Sequence, residues 1–227
     1  MRIKVHLEQL YDELPEDVQL VAISKYHPCE AIMEAYNAGQ RVFGESHVQE
    51  LLQKQPVLPQ DIQWHFIGHL QTNKVKYITP FVSLIHSVDS LKLLSEIDKQ
   101  ARKAGRVIDV LLQIYVAQEE TKFGLSKEEL IETLNTIFSQ KAEGTTFSFR
   151  IVGLMCMATN TLDDTLIHSE FAYAHEIFRE VKDTYFKDEP SFKELSMGMS
   201  DDYRIAIEEG TTMVRIGSYI FGERNYE

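Results

Sequence analysis

Cysteine is scarce in this chain: Cys29 and Cys156 are the only two in 227 residues, far apart and without metal-ligand spacing. That pattern excludes a disulfide framework and a cysteine-based metal centre. It reads as two free thiols in a reducing, cytoplasmic setting, with no signal-peptide pattern at the start. Basic residues are also few, with 23 Lys and Arg against 35 Asp and Glu, a formal charge of −12. The deficit argues against general affinity for nucleic acid or anionic membrane. It leaves room for a small anion held by local backbone amides. No apolar run approaches the roughly 20 residues needed to span a bilayer. No linker, low-complexity run or charge block marks a second domain, so residues 1–227 read as one.

What is present is a repeating pattern. A short amphipathic segment covers about residues 2–14. Apolar, strand-like runs follow at 19–25, 41–46, 64–68, 83–88, 107–116, 149–157, 192–197 and 212–217. Helical stretches lie between them, with their own punctuation. Gly39, Gly105 and Gly210 stand at helix ends. Ser126-Lys-Glu-Glu129 is a capping box. Strict βα alternation implies a parallel sheet. Eight units of about 26 residues imply closure into a (β/α)8 TIM barrel near the small end of its range, with an extra N-terminal helix. A doubly wound open sheet is the alternative.

Barrel geometry gives particular residues meaning, because active groups sit at the C-terminal ends of strands. Lys25 ends the first strand. A desolvated lysine amine is partly neutral near pH 7 and forms imines with carbonyls. The plain alternative is a surface lysine at a strand end. Side chains alternate along a strand, so an inward Lys25 goes with inward Val21 and Ile23. Met213, Arg215 and Gly217 share one face of the eighth strand. Strands one and eight adjoin in a closed barrel, which puts Lys25 and Arg215 at one rim. A rim salt bridge is the plain reading of Arg215. After strand seven comes Ser196-Met-Gly-Met-Ser200, and after strand eight Gly217-Ser218, each before a helix. Barrel phosphate sites are built from these two loops and a short extra helix. An imine-forming lysine, a phosphate cradle and an arginine at one rim point to pyridoxal 5′-phosphate. In this reading Lys25 forms the Schiff base, Ser196, Gly198, Gly217 and Ser218 hold the phosphate, and Arg215 faces the pyridine nitrogen. A permanent cation there disfavours ring protonation and weakens the ring as an electron sink.

From about residue 19 onward the chain resembles the pyridoxal phosphate homeostasis proteins, single-domain barrels of the alanine racemase N-terminal type. The matching segments are Ala22-Ile-Ser-Lys25, Val42-Phe-Gly-Glu45 with Val48-Gln-Glu50, and Trp64-His-Phe-Ile-Gly68 with Leu70-Gln-Thr-Asn-Lys74. Further matches are Gly153-Leu-Met155, Leu195-Ser-Met-Gly-Met-Ser-Asp-Asp202, and Met213-Val-Arg-Ile-Gly217 with Ile220-Phe-Gly222. The resemblance implies pyridoxal phosphate on Lys25 and control of free cofactor supply, with apo pyridoxal phosphate enzymes as possible acceptors and no established turnover. Where the family has Phe-Gly-Glu-Asn-Tyr, this chain has Ser46-His47 after Glu45, a departure that affects ring packing or affinity if those positions touch the cofactor.

Other features have plainer readings. His65 and His69 are four apart, but the segment turns from strand to loop between them, so no metal is expected. Lys122, in Thr121-Lys-Phe-Gly124, reads as a loop lysine or a group at the pocket mouth. Met155 and Met157 either line the ring or fill the core. Asp201 and Asp202 suit a helix start. A pyridoxal phosphate racemase is the alternative function, and an unrelated Schiff-base lyase or phosphate-binding barrel a third. Two-base racemisation needs a proton donor opposite the lysine. In alanine racemase a second domain supplies it, and the sequence stops five residues after Gly222.

Overall fold

The computed structural model describes residues 2–117 and 123–222. Eight strands form a closed barrel in chain order, not an open sheet. They are β1 (Gln19–Ile23), β2 (Val42–Glu45), β3 (Gln63–Phe66), β4 (Leu84–Val88), β5 (Ile108–Gln113), β6 (Phe149–Met155), β7 (Glu194–Ser196) and β8 (Met213–Ile216). All neighbouring strands pair in parallel, and β8 returns to β1 with Val21 opposite Arg215. Around the barrel run α1 (Arg2–Glu13), α2 (Cys29–Asn37), α3 (Val48–Lys54), α4 (Val75–Ile78) and α5 (Leu91–Lys103). They are followed by α6 (Lys127–Ala142), α7 (Asp164–Tyr185), α8 (Tyr203–Glu208) and α9 (Ser218–Phe221).

Period-two alternation sorts the strand residues into two cores. Val21, Ile23, Val42, Leu84, Leu111, Val152, Met155 and Met213 fill the barrel interior. Their sequence neighbours Ala22, Phe43, Leu154, Val214 and Ile216 face the helices in the larger outer core. Each large aliphatic side chain buried in this way stabilises the fold by roughly 1.5–3 kcal/mol before chain entropy is counted.

Local chemistry fixes where the helices begin. The Ser126 hydroxyl accepts from Glu129 N–H while the Glu129 carboxylate accepts from Ser126 N–H, the reciprocal capping box of α6. Ser90 accepts from Leu93 N–H at the start of α5. Asp163 accepts from Thr165 and Leu166 N–H at the start of α7. Gly105, with φ of +65°, follows the end of α5 in the left-handed region that favours glycine.

Every strand is shorter than the apolar run that predicts it, β5 and β7 the most clearly. β7 begins at Glu194 rather than 192, because Phe192 stacks on Phe186 with ring centroids 4.2 Å apart and belongs to the helix layer. β5 stops at Gln113, after which Ile114 bridges to Leu125 and the chain leaves the barrel wall. The N-terminal helix seats the rim. Tyr219 OH donates to Gln9 Oε1 at 3.2 Å, and His6 Nδ1 lies 3.3 Å from Ile220 O, so α1 holds α9 in place.

Candidate functional site

At the C-terminal ends of the strands lies a cavity of ≈ 580 Å³. That volume is within the range of small-molecule and cofactor sites. Its walls are chemically divided. Ile23, Ile67, Met155 and Met157 are apolar, Lys25 and Arg215 are cationic, and Ser200, Gly217 and Ser218 form a polar edge.

Lys25 occupies a turn just past β1 and is half-buried. Alternation from Val21 and Ile23, both interior, carries its side chain inward. Tyr26 follows with φ of +64°, a left-handed conformation that costs a non-glycine residue energy and needs support from its surroundings. That support is polar. Tyr26 N–H donates to Glu50 Oε1 at 2.5 Å, and Tyr26 OH lies 3.3 Å from His47 Nε2. Ser46 and His47, the departure from the family pattern, both line the cavity.

Arg215 lines the cavity although only 4% of it is exposed. NH1 donates to Ser196 Oγ at 2.8 Å and NH2 to Cys156 O at 2.9 Å, both neutral oxygens. Burial pushes its pKa below the ordinary guanidinium value, while the Cys156 thiol and Asp202 pull the other way. Guanidinium remains charged at any physiological pH. The cavity is therefore bounded by a desolvated cation with donors suited to an electron-rich ligand atom.

Behind Arg215 a polar chain crosses the barrel interior. Ser196 Oγ is 3.1 Å from His86 Nδ1, and His86 Nε2 is 3.0 Å from His65 Nδ1. Hydrogen-bond satisfaction gives this chain a direction. Guanidinium only donates, so Ser196 Oγ accepts from Arg215, and giving its own hydrogen to His86 Nδ1 is the arrangement that leaves that hydrogen an acceptor. His86 then carries hydrogen on Nε2 and donates to His65 Nδ1, leaving the His65 hydrogen on Nε2. Burial keeps both rings neutral. It pushes His65 down to about 3 and His86 well below the usual histidine value, with His65 and Arg215 adding repulsion at His86.

The sequence-predicted residues separate in space. Lys25, Arg215, Gly217 and Ser218 line one cavity. Ser196 stands behind its wall, fully buried, holding Arg215. Gly198 is also outside the lining. Its φ of +95° and an ideal Cβ only 2.6 Å from Ala206 Cβ explain its glycine by backbone and packing. The hydroxyl that reaches the cavity from this loop is Ser200, whose Oγ accepts from Gly217 N–H at 3.3 Å and ties the two loops together. Ser200 was readable as the last residue of Ser196-Met-Gly-Met-Ser200; strand length decides which serine projects inward past the rim. Met155, Met157 and His69 line the cavity, with the His69 ring stacked on Phe123 at 4.8 Å. His65 instead lines a separate cavity of ≈ 250 Å³ near the opposite strand ends. Lys122 lies outside the described residues. Among those described, no group of three or more His, Cys, Asp or Glu is placed to hold a metal, and no helix is long and apolar enough to cross a membrane.

Comparison with known proteins agrees with this geometry. The family described as alanine racemase, N-terminal domain, matches residues 2–225. The pyridoxal phosphate homeostasis protein of Aquifex aeolicus is 43% identical over 209 residues, 92% of this chain and 88% of that protein. The structure of PipY from Synechococcus elongatus with PLP bound is 37% identical, with a TM-score of 0.84 over 97% of this chain and 100% of that one. Alanine racemase from Bartonella henselae shares the fold, at 18% identity and a TM-score of 0.72 over 98% of this chain and 59% of that one. The chain thus belongs to the pyridoxal phosphate homeostasis protein family, built on the fold of the alanine racemase N-terminal domain.

Proposed function

We propose that this barrel binds pyridoxal 5′-phosphate in the cavity between Lys25 and Arg215, and acts in the intracellular homeostasis of that cofactor. The observation that carries the reading is the union, in one ≈ 580 Å³ cavity, of a half-buried lysine, a buried arginine and a serine–glycine edge. The residues fit the group. Ile23, Ile67, Met155 and Met157 suit the faces of a pyridine ring. Arg215, bonded to neutral oxygens, suits an unprotonated ring nitrogen. Ser200, Ser218 and the first N–H groups of α9 suit a phosphate, since the first N–H groups of a helix have no intrahelical acceptor. At Gly217 an added Cβ would come within 3.2 Å of the Ile23 Cβ and carbonyl oxygen, a tight contact that glycine avoids.

When bound, pyridoxal phosphate supplies an aldehyde that a neutral amine holds covalently and reversibly. The protein's own residues do the rest. Lys25 provides the amine. Arg215 orients the ring and, as a fixed cation, keeps its nitrogen unprotonated, which disfavours carbanion chemistry. Among the described residues, exposed side chains at the mouth, Tyr26, Phe123 and Met199, leave the cavity open to solvent. Water is poorly excluded from such a site, which suits exchange of the cofactor better than turnover. The function we assign is therefore a carrier or regulator that delivers pyridoxal phosphate to apo-enzymes rather than a racemase.

The test is absorbance of the purified protein before and after borohydride, with mass mapping of the reduced lysine. A reduced adduct on Lys25, and loss of the visible band in a folded Lys25→Ala variant, are expected. An unchanged spectrum in that variant overturns the lysine assignment. Transfer to an added apo-enzyme tests the carrier role. Conversion of a single amino-acid enantiomer above the Lys25→Ala background would replace it with the racemase reading.

A further inference from the structure

The Lys25 turn is gripped from outside the cavity by three ionisable side chains that the cofactor reading leaves unused. Ser24 and Glu45 both point away from the barrel interior, toward α3. There Lys54 Nζ donates to Ser24 O at 2.8 Å, Glu45 Oε1 at 2.7 Å and Glu50 Oε1 at 2.7 Å. An ammonium has three donors, and these contacts use all three. Ser24 Oγ donates to Glu45 Oε1 at 2.6 Å, and Tyr26 N–H donates to Glu50 Oε1. Lys54 and Glu45 are buried, and Glu50 is one-fifth exposed at its side chain.

We propose that Glu45, Glu50 and Lys54 are positioning residues for Lys25, a clamp that fixes residues 24 and 26 so that the amine between them is held toward the cavity. The proposal rests on the cofactor reading for its purpose and on the hydrogen bonds for its geometry. The anchors come from two elements. Glu45 ends β2, while Glu50 and Lys54 sit one turn apart on α3, the favourable order for an i, i+4 pair. Residue 24 is held through its carbonyl and its hydroxyl. Residue 26 is held through the N–H of a left-handed tyrosine, a conformation that persists only when its surroundings determine it. Such a shell is what keeps a reactive side chain within the small tolerance that covalent capture requires. It also gives Val42-Phe-Gly-Glu45 and Val48-Gln-Glu50 a shared task, since both glutamates share one buried cation.

A buried cation left unpaired can prevent folding, so Lys54→Met alone is a poor test. Glu50→Ala and Glu50→Gln make the decisive pair, because Gln keeps an acceptor for Tyr26 N–H and Lys54 while Ala keeps none. Pyridoxal phosphate affinity is measured by absorbance titration. In cofactor-free protein, the rate of Lys25 acetylation by acetic anhydride is read by mass spectrometry, with melting temperature as the control for folding. Expected are at least tenfold weaker affinity and at least threefold faster Lys25 acetylation for Glu50→Ala, with Glu50→Gln within threefold of wild type in both. A folded Glu50→Ala that binds and acetylates like wild type overturns the clamp. A wild-type protein with no reducible adduct on Lys25 overturns the cofactor reading instead, and the acetylation rates then decide the clamp alone.

Discussion

The neutral histidine pair inside the barrel makes acid stability a sharp test of the buried polar chain. His65 titrates near 6.5 in the unfolded chain and is pushed by burial to about 3 in the folded protein. The folded state therefore binds fewer protons than the unfolded state between those values. Stability from this group is complete above pH 6.5 and is lost as pH falls toward 3. At pH 4.5 the unfolded imidazole is about 99% protonated and the folded one about 3%, a linkage of about 3 kcal/mol for His65 alone. The perturbation is His65→Asn, which removes the titration and keeps a polar side chain beside His86. Urea unfolding of wild type and variant from pH 8 to 4.5 is the assay. The variant should be the less stable protein at pH 8, because a buried ring and its hydrogen bond are lost. The difference should then close by about 3 kcal/mol by pH 4.5, about 1 M in urea midpoint at an m-value near 3 kcal/mol/M. A difference that stays constant across the range refutes a buried neutral His65. Imidazole ¹⁵N spectra provide a second check, with both His65 and His86 expected to carry hydrogen on Nε2.

Glu45 should produce the opposite slope. Burial outweighs Lys54 and raises it to about 7, so the folded state keeps a proton that the unfolded state releases. Stability then falls as pH rises from about 4.5 to 7, by up to about 3 kcal/mol, and Glu45→Gln should remove that fall in the same urea series. The two serines of the β7 loop should also separate. Ser196→Ala leaves Arg215 NH1 and His86 Nδ1 short of a partner, at a cost of about 1–3 kcal/mol and a melting temperature lower by several degrees. Ser200→Ala should leave melting within about 2 °C of wild type while weakening pyridoxal phosphate binding severalfold in an absorbance titration. Gly198→Ala, forced into φ of +95° against Ala206, should lower the melting temperature by several degrees, as differential scanning calorimetry would show.

How much of this was legible in the chain depends on the range of the interactions. Alternating apolar residues in eight short runs specify a parallel barrel, because period-two burial and βα order are local properties. Ser126 with Glu129 announces a helix start for the same reason. That Lys25 and Arg215 share a rim also follows from strand order and alternation, since the eighth strand closes on the first. Which residues of the Ser196-Met-Gly-Met-Ser200 loop reach the cavity does not follow. β7 ends at Ser196, so that side chain turns into the barrel below the rim, and Ser200 meets Gly217 instead. The His65–His86–Ser196 chain and the Glu45–Lys54–Glu50 clamp were invisible for a related reason. Each joins residues on different strands and helices, His86 and Ser196 being 110 positions apart. Sequence by itself pointed to the barrel and to the placement of Lys25 and Arg215 at one rim, because those rest on periodicity and chain order. Only the tertiary structure decided what holds them. Burial removes water as a partner, so every polar group there must find another in three dimensions, wherever the chain brings one near.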